Sequence, residues 1–115
     1  MDGIVVSSHG GRQIDGNVGS LEVLPEIVDS VGQSIEILFD SGIRTGVDAA
    51  KALALGAKMV LIGRPWVYGL ALGGSQGVEH VIKGILADME LSLRLMGIPS
   101  VFPDVLNRSL LRETK

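Results

Sequence analysis

Two side chains on one short loop could do chemistry together. His9 and Arg12 lie in Ser7-Ser8-His9-Gly10-Gly11-Arg12-Gln13, directly behind the apolar run Ile4-Val5-Val6. An imidazole ordinarily exchanges its proton in the neutral range, and a guanidinium carries a permanent planar fork of donors that matches a carboxylate. A base and a carboxylate clamp on one loop suit proton or hydride chemistry next to a carboxylate. The competing reading of the same residues is a solvated loop whose histidine is bonded to backbone.

A second set has a different character. Asp40-Ser41-Gly42-Ile43-Arg44 and Gly63-Arg64-Pro65 each follow an apolar run, and together they read as a phosphate cradle. Gly42 and Gly46 let the backbone approach an anion, a following helix N-terminus offers free N–H groups, and Arg44 and Arg64 add full positive charges. Ordinary βα turns are the alternative. Asp40, at the tip of a strand, either accepts from sugar-type hydroxyls or serves as a turn or capping aspartate. His80, beside Glu79, falls on the solvated face of a helix. Trp66 and Tyr68 read as packing residues, and no metal-ligand spacing is present.

Three repeats of strand followed by helix position these loops. Residues 3–7, 35–39 and 58–62 are short, apolar and ended by polar or glycine residues, as buried strands are. Between the first two, Ser20 is placed to cap a helix carrying Leu24, Ile27, Val28 and Val31 on one face, closed by Gly32. Pro25 fits such a helix only near its first turn. The next helix has the capping-box spacing Thr45 to Asp48, turns Val47, Ala50, Leu53 and Ala54 inward, and ends at Leu55-Gly56. A helix over 66–72 breaks at Gly73-Gly74. The longest helix follows, about 78–96, with Val81, Ile82, Ile85, Leu86, Met89, Leu93 and Met96 on one side, and stops at Gly97-Ile98-Pro99. Connections of this length imply parallel strands, and in α/β proteins chemistry gathers at the strands' carboxyl ends.

Composition narrows the classes. The 115 residues are 46% hydrophobic and 20% charged, which suits one globular core. A net charge of −3 gives no electrostatic footprint for nucleic acid. The absence of cysteine excludes disulfides and fits a cytoplasmic protein. No apolar run is long enough for membrane insertion, and Met1-Asp2-Gly3 has no basic leader.

Taken together, the loops resemble those of the FMN-dependent 2-hydroxy-acid oxidoreductases, such as glycolate oxidase, lactate oxidase and lactate 2-monooxygenase. Residues 7–13 are similar to that family's signature Ser-Asn-His-Gly-(Ala/Gly)-Arg-Gln, with Ser8 in place of the asparagine. Asp40-Ser41-Gly42-Ile43-Arg44 and Gly63-Arg64-Pro65 resemble its two FMN-phosphate segments, and Lys51 to Ala57 between them fits too. Leu70-Ala71-Leu72-Gly73-Gly74 with Gly77-Val78-Glu79-His80-Val81 is most similar to the lactate 2-monooxygenase branch.

The resemblance implies an α/β fold, a partial (β/α)8 TIM barrel made of its last three βα units over residues 1–100, with a tail over 101–115. It implies oxidation of a small L-2-hydroxy acid such as lactate, with electrons passing through FMN to oxygen or another acceptor. His9 would be the catalytic base and Arg12 would hold the substrate carboxylate. Ser7, Asp40, Ser41, Gly42, Arg44, Gly63 and Arg64 would line the FMN site. A whole barrel needs about 250 residues, and the family's early strands, a strand-borne lysine and substrate-binding tyrosines have no counterpart here. Three parallel strands cannot close a barrel. The expectation is therefore a homo-oligomer or a partner chain supplying the missing units. The alternative is a catalytically silent FMN- or phosphate-binding fragment.

Overall fold

The first β-branched run forms strand β1 (Gly3–Val6), which ends where the apolar residues give way to Ser7 and Ser8. The computed structural model describes residues 1–113. After β1 come α1 (Ser20–Val31), β2 (Glu36–Phe39), α2 (Gly46–Ala54), β3 (Met59–Val60) and α3 (Arg64–Leu95). The strands are parallel in the order β1-β2-β3, with Gly3 opposite Glu36 and Leu38 opposite Met59. A helix fills each connection, as parallel pairing requires. β3 is shorter than the 58–62 run predicts, although the Lys58 amide donates to the Ile37 carbonyl at 2.7 Å and the Leu61 amide to that of Phe39 at 2.8 Å.

The core lies between the sheet, α1 and α2. Val6, Leu24, Ile37, Phe39, Ile43, Ala49, Ala52 and Ala57 form its main cluster. Val47 is not part of it: it is 39% exposed, and Ala49 and Ala52 are buried instead. A second face of α2, with Ala50 and Ala54, packs with Leu93 of α3, and the two helices approach closely. A Cβ added at Gly46 would lie 2.0 Å from the Met89 amide nitrogen, so only a small-residue face fits there.

Two details of α1 also differ from expectation. Its cap is Gly19, whereas Ser20 is its first helical residue and is buried, with its hydroxyl donating to the Asp40 carbonyl at 3.1 Å. A buried hydroxyl needs a partner, and the end of β2 supplies one. Pro25 lies inside the helix rather than in its first turn, which removes one backbone donor.

α3 is interrupted at Gly73 and Gly74, where a break was expected, and its two limbs meet so closely that a Cβ on Gly77 would lie 1.9 Å from the Gly69 carbonyl oxygen. Its apolar stripe is only partly covered. Leu93 is buried and Val81, Ile85 and Met89 are half-buried, whereas Ile82, Leu86 and Met96 stay exposed because no described element reaches that side. Beyond α3 the chain packs back: Leu106 is buried with Ala50, Ala54 and Leu93. A short 3-10 turn at Arg108–Leu110 is the helical turn expected in the tail; residues 114 and 115 lie outside the described residues. Arg108 bonds Asp29 and the Pro25 carbonyl, which ties the tail to α1. Among the described residues, no helix is long and apolar enough to cross a membrane.

Candidate active site

Parallel pairing brings the carboxyl ends of all three strands to one edge, and the three loops there are bonded to one another. In the loop behind β1, backbone φ is 51° at His9, 65° at Gly10 and 69° at Gly11. Glycine adopts this left-handed region freely, but for histidine it is strained and persists only when the surroundings over-determine it. Several bonds do so. The His9 amide donates to the Ser7 hydroxyl at 3.0 Å, and the Gly11 amide to the Ser8 carbonyl at 2.9 Å. From the second loop, the Ser41 hydroxyl accepts from the Ser8 amide at 3.1 Å and from the Gly10 amide at 3.4 Å. From the third, Arg64 Nη2 donates to the Gly10 carbonyl at 3.2 Å.

The loop behind β2 prolongs the ladder by one bond, from the Asp40 amide to the Val6 carbonyl at 3.1 Å. It then turns through left-handed Ser41 and Gly42. The Ser41 hydroxyl donates to Asp40 Oδ1 at 2.8 Å. The α2 N-terminus that follows is not the free anion site its sequence suggests. Asp48 Oδ2 accepts from the Arg44 and Thr45 amides, Thr45 Oγ1 accepts from the Asp48 amide, and Asp88 Oδ2 accepts from the Gly46 amide at 2.7 Å. Partial burial pushes the Asp48 carboxyl up. The Thr45 side chain, the Arg44 and Thr45 amides and nearby Lys51 outweigh this and hold it below its ordinary value. The α3 N-terminus, by contrast, begins at Gly63 with no side-chain cap. Gly46 therefore belongs to helix packing, and the helix ends at this edge without a side-chain cap are those of α1, at Gly19, and α3, at Gly63.

The loops surround an open cleft of about 670 Å³ lined by His9, Arg12, Asp40, Ser41, Gly42, Arg44, Gly63 and Arg64. That volume is within the range of small-molecule sites, about 300–1,000 Å³. Ser7 is outside the lining, and its hydroxyl is engaged by the His9 amide. Three guanidiniums and one carboxylate give the cleft a positive balance in a chain whose net charge is −3. Among the described residues, the Arg12 and Arg44 guanidiniums form no ion pair, so both stay available to an anion. Trp66, read from sequence as packing, is 39% exposed and lines the cleft with Leu21 and Leu61. Tyr68 is 63% exposed and is likewise not core. Nothing in the spacing of Ser20, Leu21 or Leu61 marks them as site residues; only the folded edge brings them there.

Known proteins share both the sequence and the fold. The chain is 68% identical over 111 residues, 96% of its length, to an FMN-dependent alpha-hydroxy acid dehydrogenase of Schizosaccharomyces pombe, and covers 27% of that protein. It is 55% identical to an L-lactate oxidase of Lysinibacillus sphaericus, over 88% of this chain and 26% of the relative. Among solved structures, a mandelate oxidase variant with a monooxide FMN adduct superposes with a TM-score of 0.83 at 47% identity, covering 86% of this chain and 32% of that one. A soluble mutant of the membrane-associated (S)-mandelate dehydrogenase from Pseudomonas putida gives 0.84 at 43% identity, with 90% and 29% coverage. The chain thus spans roughly a quarter to a third of the proteins it matches, and its three βα units are part of their TIM barrel. The sequence profile of the FMN-dependent dehydrogenases matches residues 1–113. On that match, and with His9, the arginines and the glycine-bearing loops meeting at one cleft, the chain belongs to the FMN-dependent dehydrogenase family.

Proposed function

We propose that this chain forms the base-bearing and phosphate-holding part of an enzyme that oxidises a small L-2-hydroxy acid such as lactate. The observation that carries the reading is the single cleft in which His9 meets the Arg12, Arg44 and Arg64 guanidiniums. The residues fit FMN. A Cβ added at Gly42 or Gly63 would meet no atom within 4 Å, so the backbone there is open to a ligand. Arg44, Arg64 and the uncapped α3 N-terminus would hold the phosphate. Asp40 keeps a carboxylate oxygen to accept from a ribityl hydroxyl, with Ser41 and Gly42 beside it. Ser7 contributes from outside the lining through the His9 amide it holds.

FMN, when bound, supplies the two-electron acceptor, which oxygen or another acceptor then reoxidises. The chain's own residues do the rest. Arg12 binds the substrate carboxylate with its paired donors and fixes the hydroxyl-bearing carbon within reach of the His9 loop. His9 receives the hydroxyl proton as the alcohol becomes a carbonyl, and the product is a 2-oxo acid. The remaining barrel units would come from further chain, another copy or a partner, which the exposed Ile82 and Leu86 on α3 support. A cytoplasmic setting fits the absence of cysteine.

A second reading, a cofactor-holding fragment without turnover, is favoured by Ser8, which stands beside His9 where the similar signature has asparagine. An FMN titration followed by visible absorbance, with L-lactate added anaerobically at the end, separates the two. Binding with bleaching of the flavin supports the enzyme, and binding without bleaching supports the silent fragment. Failure to bind FMN refutes both for this chain alone.

A further inference from the structure

The amides of three successive residues around the candidate base are each accepted by a serine hydroxyl. Ser7 takes the His9 amide at 3.0 Å, and Ser41, 33 residues from Ser8 in sequence, takes the Ser8 amide at 3.1 Å and the Gly10 amide at 3.4 Å. Ser41 stands at φ 81°, a conformation that glycine adopts with less strain. Turn geometry alone therefore does not account for a serine there. Its hydroxyl does: the proton goes to Asp40 Oδ1 at 2.8 Å, which leaves the oxygen lone pairs directed to the two amides of the neighbouring loop. Asp40 is bound in turn through its own backbone, where its carbonyl accepts from buried Ser20 at 3.1 Å. A relay thus runs from the core to the loop that carries His9.

We propose that Ser41 is a positioning residue for His9: oriented by Asp40, its hydroxyl holds the His9 loop in its left-handed conformation over the cleft. The functional meaning of this role rests on the assignment of His9 as the base, but the role itself can be tested without cofactor or turnover.

The test is amide hydrogen exchange, resolved by NMR on the whole chain without ligand, for wild type, Ser41→Ala and Ser41→Gly. Loss of the hydroxyl is expected to speed exchange of the Ser8 and Gly10 amides about three- to tenfold in both variants. The His9 ring resonances should shift with them. The Lys58 and Leu61 amides, which donate to β2 carbonyls, report whether the fold is intact and should not change. Ser41→Gly is decisive, because it relieves the backbone at φ 81° while removing the hydroxyl. A residue kept only for its turn predicts unchanged or slower exchange at Ser8 and Gly10 in that variant, and this result would overturn the proposal. Should Ser41→Ala fail to fold, Ser41→Gly is sufficient to decide. A wild-type chain that does not bind FMN would sink the flavin reading, while the exchange data would still judge Ser41.

Discussion

Replacing Gly46 by alanine sets two physical effects of opposite sign against each other. Gly46 is the first residue of α2, and in an open helix alanine is favoured over glycine by about 1 kcal/mol. Here the new methyl would sit 2.0 Å from the Met89 nitrogen and 2.6 Å from the Ile85 carbonyl oxygen, both backbone atoms of α3 that cannot swing aside. The helices must part by more than an ångström, and overpacking of this kind costs about 1–3 kcal/mol. The separation also strains the 2.7 Å bond from the Gly46 amide to Asp88, and bonds to charged acceptors are worth about 1.5–3 kcal/mol. The net expectation is a loss of about 2–5 kcal/mol, a large share of the 5–15 kcal/mol that a domain of this size holds. With a urea slope of about 1–3 kcal/mol per molar, the unfolding midpoint should fall by about 1–5 M. The fluorescence of Trp66, the single tryptophan, follows the transition. Asp88→Asn, which keeps the shape and removes the charge, should shift the midpoint less. A midpoint for Gly46→Ala equal to or above wild type would mean that the packing of α2 on α3 does not set this position.

Other residues give independent tests. Because the Asp48 carboxyl is held below its ordinary 3.8, its contribution is complete above that pH and is lost as pH falls through the lower folded value. Asp48→Asn should therefore lower the thermal midpoint at pH 7, a cap of this kind being worth about 0.5–2 kcal/mol, and the gap to wild type should close below pH 4. Removing either cleft charge, by Arg44→Gln or Arg64→Gln, should weaken FMN binding about 10- to 100-fold in a calorimetric titration; equal affinity would detach that arginine from the phosphate. The Asp29 carboxyl is held below its ordinary value by its hydrogen bond from Arg108. Arg108→Ala should raise the Asp29 titration midpoint measured by NMR and speed proteolysis of the chain beyond α3.

The architecture was legible in the sequence because apolar runs ending in polar loops recur three times with a helix between them, and that periodicity survives folding. The Gly73-Gly74 break and the Thr45–Asp48 box were legible for the same reason, since each is decided within a few residues. What the sequence hid depends on approach between distant segments. Gly46 looks like a phosphate-loop glycine until Met89 is found against it, and Val47 looks buried until Ala49 and Ala52 are found in the main cluster and Ala50 and Ala54 with Leu93. The candidate site residues gathered at one edge because parallel strands force their carboxyl ends together. Ser7 alone stayed outside, its hydroxyl being spent on the loop itself. Trp66 was misread because aromatic residues usually pack, and nothing local marked it as a cleft wall.

The spatial order of the strands, β1-β2-β3, is also their order along the chain. A ribosome working from the N-terminus therefore completes each strand after the neighbour it joins. β2 meets a finished β1, and β3 meets a finished β2, with only one helix to close in each case. At synthesis rates of about 5–20 residues per second, an edge waits about one to seven seconds for the strand that covers it. Exposed strand edges are where misassembly starts. Among these three strands none awaits a partner two units away, which limits the time during which such errors can begin at the edges they share.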